Sequence, residues 1–114
     1  MKRVVMLVRR APLASSATTE ALRVAVGMTL ADHEVTILYL DDGAGAAAEL
    51  QPALTGGADI GEALSLLGPC HVREAAETES LKRARVAKVR QGVDVIDRPT
   101  ALSLLGGADV LLAV

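Results

Sequence analysis

Phenylalanine, tryptophan and asparagine are absent from this sequence, and Tyr39 and Cys70 are its only tyrosine and cysteine. A single aromatic leaves no platform on which bases could stack. A net charge of −2 and a pI near 5.6 supply no basic field for a polyanion, so nucleic acid is not an expected partner. One cysteine excludes an intramolecular disulfide and a cysteine-cluster metal site. The two histidines and the scattered acids, among them Asp41, Asp42, Glu77 and Glu79, show no metal-ligand or acid/base spacing, and no cofactor is expected. The opening apolar run, residues 4–8, is too short to cross a membrane and is followed by nothing like a signal cleavage site, so the expected home is the cytoplasm.

What is present is aliphatic. Val, Leu, Ile and Ala dominate the 51% of apolar residues, and 114 residues are one domain's worth, 1–114. A chain of this size buries roughly two-thirds of its unfolded surface, enough for a core without staples. Short β-branched runs at 4–8, 35–40, 93–96 and 108–114 read as strands covered on both faces. The run 71–76 carries charge and reads as a weaker strand, shorter or nearer an edge, while 108–114 reads as central. Between them, Ser15 and Ser16 can cap a largely buried helix over 17–30. Short helices are expected over 44–50 and 60–67, and a longer one over 78–89. Asp97, Arg98 and Pro99 open the last helix. The hexapeptide ending at Gly68 recurs letter for letter ending at Gly106, and each glycine is expected in a left-handed helix-terminating position. Alternating strands and helices with short loops predict right-handed crossovers. The fold class is therefore α/β, a three-layer α/β/α with a five-stranded, mainly parallel sheet.

Three features invite a functional reading. Cys70 is the one strong nucleophile and the candidate catalytic residue, although a lone cysteine is more often a small buried hydrophobe. His71 is adjacent, but neighbouring residues in a strand point to opposite faces, so a dyad needs irregular backbone. Gly43-Ala44-Gly45-Ala46-Ala47-Ala48 fits G-x-G-x-x-A, with Gly43 and Gly45 as a candidate ligand or anion turn. It follows the second strand rather than the first, and Asp41 and Asp42 would repel phosphate. Residues 82–90 carry five cations and no acid. Either they form a solvated helix face, or Lys82, Arg83 and Arg85 form a docking patch for an acidic partner.

The order of soft motifs resembles the DsrF/TusC branch of the DsrE/DsrF-like sulfur-relay family. These motifs are Arg10-Ala11-Pro12 with Thr19-Glu20-Ala21-Leu22, Leu40-Asp41-Asp42-Gly43-Ala44, Leu66-Leu67-Gly68, Ser80-Leu81-Lys82-Arg83-Ala84-Arg85-Val86 and Ala108-Asp109-Val110-Leu111-Leu112. The resemblance spans nearly the whole chain. It implies a homo- or hetero-oligomer, a trimer or hexamer, with a sulfur-relay protein as partner. In that family some members carry persulfide sulfur on a cysteine just after strand three. The matching stretch here, Ala76-Glu77-Thr78-Glu79, has none, and Cys70 lies before that strand. The expectation is an oligomer-forming subunit without the usual thiol. The alternatives are a sulfur transferase using Cys70 and a small-anion or nucleotide-binding module at the Gly43 turn.

Overall fold

The computed structural model describes residues 1–10, 17–48 and 65–114. Strands β1 (Arg3–Val8), β2 (Glu34–Tyr39), β3 (Arg73–Glu77), β4 (Val93–Ile96) and β5 (Val110–Ala113) form one sheet in the order β4-β3-β2-β1-β5. Every pairing is parallel. Helix α1 (Ala17–Leu30), the 3₁₀ helix Asp41–Ala47 and α2 (Thr78–Arg83) accompany the steps from β1 to β4, and α3 (Arg98–Gly106) accompanies the return from β4 to β5.

Alternation along the strands divides the core in two. Val4, Met6, Val8, Val35, Ile37, Tyr39 and Ala76 face α1, the 3₁₀ helix and Leu81 of α2. Val5, Leu7, Leu38 and Ala75 face Ala101, Leu104 and Leu105 of α3. The aliphatic interior expected from composition is this pair of layers, with Tyr39 fully buried as its one ring.

Several expectations are corrected. β3 is interior, paired with β2 and β4, despite its charges. Its buried Glu74 and Glu77 have specific partners, so charge does not drive it to an edge. β5 is an edge strand and not central, because the β4-to-β5 crossover carries the chain past β1 to the far side. Among its described side chains α1 buries Ala21, Leu22 and Ala25, while Val24 and Leu30 stand 50% and 80% exposed. The helix expected over 44–50 is instead the 3₁₀ helix, and the one expected over 60–67 falls mostly outside the described residues, as do Ser15 and Ser16.

The helix expected over 78–89 ends at Arg83, and the reason is geometric. Arg85 takes a left-handed φ of 58°, its N–H reaches Lys82 O at 3.1 Å, and Val86 N–H reaches Leu81 O at 3.0 Å. That pair of bonds is the Schellman termination. His71 (φ 60°) and Asp32 (φ 66°) close turns by the same pattern, through Val72 N–H to Leu67 O and His33 N–H to Met28 O. Gly68 and Gly106 are not left-handed; among the described glycines only Gly92 is. At these three turns a charged or polar residue holds the left-handed position that glycine usually takes.

Candidate functional site at the carboxyl ends of the strands

The crossovers diverge between β1 and β5, so the ends of these strands form the switch point where open parallel sheets hold ligands. Arg9, Arg10, Asp41, Asp42, Ala113 and Val114 line a hollow of about 500 Å³ there. Gly43, beside Asp42 of that lining, is seated on the end of β1. A Cβ at this position would stand 2.0 Å from the Val8 carbonyl oxygen, so only glycine lets the 3₁₀ helix rest on the end of β1. Asp41, at φ 52°, turns the chain off β2, and its carboxylate meets Arg9 Nε at 3.4 Å and Arg83 Nη2 at 3.5 Å.

A line of polar contacts runs from Asp41 across the sheet end. The Asp41 amide donates to Ser80 Oγ (2.9 Å), and Ser80 Oγ donates to Glu77 Oε1 (2.8 Å). Glu77 is fully buried at the β3–α2 junction and caps α2, accepting from the amides of Glu79 (2.7 Å) and Ser80 (3.1 Å). Arg98 Nη2 approaches the same oxygen at 3.1 Å. Burial raises the pKa of this carboxyl, but the Ser80 hydroxyl, the two amides and the Arg98 charge outweigh it and hold the group below its ordinary value. Ser80 is buried with both its donor and its acceptor engaged, so it is not a free nucleophile. The arrangement holds charge in place and offers no activated base or nucleophile among the described residues. No group of three or more His, Cys, Asp or Glu there could hold a metal ion.

A second buried network locks the loop after α2. Tyr39 Oη donates to Glu74 Oε2 at 2.7 Å, and Arg90 Nη2 meets the same oxygen at 2.7 Å while also donating to Ala46 O at 2.9 Å. Burial, followed by the Glu74 charge, pushes the Tyr39 hydroxyl pKa far up, so it stays protonated. Glu74 raises the Arg90 pKa against the opposing effect of burial.

The sequence-derived candidates do not gather at one place. Gly43 and Gly45 lie in the 3₁₀ helix, where Gly43 is buried against β1. Lys82, Arg83 and Arg85 are exposed; Lys82 pairs with Glu79 at 3.6 Å and Arg83 with Asp41. Arg90, expected on the same solvated face, is instead in the buried pair with Glu74. Cys70 is half-buried at the opposite end of the sheet, packed against the α1-side core, while Arg73, the next cation along the chain, lies near Glu34 on the α3 side. Glu77, Ser80 and Arg98 carried no spacing signal, since glutamate is not a favoured capping residue.

No family model matches the sequence, and no curated protein matches it significantly. Among solved structures the YchN protein of E. coli superposes with a TM-score of 0.84 at 18% identity, covering 100% of both chains. The chain shares the fold of that protein. At that identity the likeness speaks for the scaffold: a five-stranded all-parallel sheet between helices. No helix among the described residues is long and apolar enough to cross a membrane.

Proposed function

We propose that this chain is a DsrF-like subunit of a cytoplasmic sulfur relay that lacks the usual persulfide cysteine, acting by assembly with copies of itself or with a relay protein. One observation carries the reading. Residues 76–79, which match the position of the persulfide cysteine in the family the sequence resembles, form the β3–α2 junction. There Glu77 is buried and fully engaged as a cap. A sulfur carrier needs an accessible thiolate, and this junction offers a closed carboxylate. An assembly role is further supported by apolar side chains left open on the described surface: Val24 beside Leu112 and Val114, and Leu111 on the edge strand.

Light scattering on the purified chain, with pull-down from its native extract, tests the assembly, and a stable monomer without a partner would sink the proposal. Incubation with a persulfide donor followed by mass spectrometry tests whether the chain carries no sulfur of its own. Sulfur that appears on wild type and vanishes in Cys70→Ala would move the function to Cys70.

A further inference from the structure

At the amino ends of the strands, far from the junction just described, a charged row crosses the α3 side of the sheet. Arg3 of β1 is the register partner of Glu34 of β2, and Arg73 of β3 is the partner of Thr36, one step further along β2 on the same face. With Ser103, Leu104, Gly107 and Ala108 at the end of α3, these residues line an open hollow of about 260 Å³. We propose that this hollow binds the oxyanion end, phosphoryl or carboxylate, of a small acidic molecule.

Three observations meet here. First, Arg3 Nε and Arg73 Nη1 each lie 4.0 Å from a Glu34 oxygen, beyond hydrogen-bond reach. Two guanidinium groups share one carboxylate, the row carries one net positive charge, and neither guanidinium donates a hydrogen bond to a described residue. Second, Thr36 is only 8% exposed, yet its hydroxyl has no hydrogen-bond partner among the described residues. Buried hydroxyls are nearly always satisfied, so an orphan lining a cavity is a group open to a partner from outside, and it can donate to an anion. Third, the polar side chains of the lining are rich in donors: two guanidiniums, Thr36 and Ser103 can donate, and Glu34 is the single anion. Planar guanidinium forks match oxyanions in geometry as well as charge. The hollow falls just under the roughly 300–1,000 Å³ of pockets for drug-sized ligands, which limits the occupant to a short skeleton.

The test is an amide NMR titration of the full chain with inorganic phosphate and, separately, with acetate, each against sodium chloride at matched ionic strength. The expected result is saturable shifts centred on Thr36, Arg73, Ser103 and Gly107 with at least one of the two anions, and none with chloride. Whichever anion saturates identifies the phosphoryl or carboxylate class. Thr36→Val keeps the shape and net charge but removes the hydroxyl, and should weaken binding about tenfold or more, as expected for a hydrogen bond to a charged group. Glu34→Gln removes the repelling carboxylate and should tighten it. Arg73→Gln, an exposed position, should weaken binding and stands in for Thr36→Val if that variant loses its native circular dichroism. Shifts linear to about 50 mM with both anions, well past millimolar affinity, would overturn the proposal. So would saturable shifts centred on Arg9 and Arg10, or a folded Thr36→Val that binds as wild type does.

Discussion

Replacing Gly43 by alanine tests whether the 3₁₀ helix is seated on β1 as described. The added Cβ would lie 2.0 Å from the Val8 oxygen and 2.5 Å from its carbonyl carbon. Both neighbours are backbone inside the sheet, so neither can rotate aside. Gly43 is not in the left-handed region, so alanine suffers no torsional penalty and the cost is steric alone. Relief requires the 3₁₀ helix to retreat by an ångström or more, which breaks the Leu40 N–H to Val8 O bond now at 3.0 Å. Overpacking of this kind costs about 1–3 kcal/mol, and the buried hydrogen bond about 1 more. A loss of about 3 kcal/mol corresponds to a Tm drop of about 10 °C in a domain of this size. Gly27→Ala is the control: it lies inside α1 with nothing within 4 Å of the new Cβ. It should stabilise by about 0.5–1 kcal/mol, the helix preference of alanine over glycine. Thermal and urea unfolding followed by circular dichroism read both variants. If Gly43→Ala melts within about 2 °C of wild type, less than 1 kcal/mol for this size, the close approach is not there.

Arg90→Met leaves Glu74 charged and buried without its cation, and should cost about 3–5 kcal/mol by urea unfolding. Adding Glu74→Gln to that background should restore part of the loss, and strict additivity of the two changes would argue against a coupled pair. Arg85→Gly should raise stability by about 0.5–1 kcal/mol, because a left-handed L-residue gives up more than glycine loses in chain entropy; a lower urea midpoint would contradict the Schellman assignment. For Glu77 the native pKa lies below its ordinary 4.5, so the unfolded chain binds more protons and stability rises with pH. Its contribution is complete above the ordinary value and drains as pH falls through 4.5 toward the lower native value. Glu77→Gln should therefore be less stable near neutrality and lose less than wild type on acidification; parallel stability–pH curves would show that the cap is not ionised.

The strand count, the parallel α/β class and the fourth strand at 93–96 were legible because buried parallel strands read as apolar runs bounded by breakers. Asp97 and Pro99 announced α3 because side-chain capping and proline placement are local chemistry. Strand order was not legible: nothing local distinguishes 110–113, apolar at an edge, from a central strand, since the crossover alone decides. The end of α2 was not legible: Arg85 holds the left-handed position where the readable signal is glycine, so a helix drawn on to residue 89 puts Arg90 on a solvated face. The end of α1 at Leu30 was legible, although Asp32 ends it in the same left-handed way. Glu77 and Thr36 escaped for the complementary reason. Each matters only through what the fold brings to it, Arg98 from 21 residues away and the end of α3, and neither sits in a spacing that sequence can display.

On the proposed function, the β3–α2 junction also bears on whether the absence of the usual cysteine at 76–79 means a lost activity or a different role. A cysteine placed there would meet the surroundings that activate thiols: helix amides aimed at it and the Arg98 guanidinium within reach. Those same groups now hold the Glu77 carboxylate ionised, and Ser80 ties it to Asp41, which in turn draws in Arg9 and Arg83. A simple loss of the thiol would leave an open, electropositive recess. Here the recess is filled, its donors are satisfied, and the ends of β1, β2 and β3 are linked through one polar line. Filling the position stiffens the carboxyl edge of the sheet at the expense of access, which suits a surface that must present a fixed shape to a partner better than one that must admit a sulfur donor.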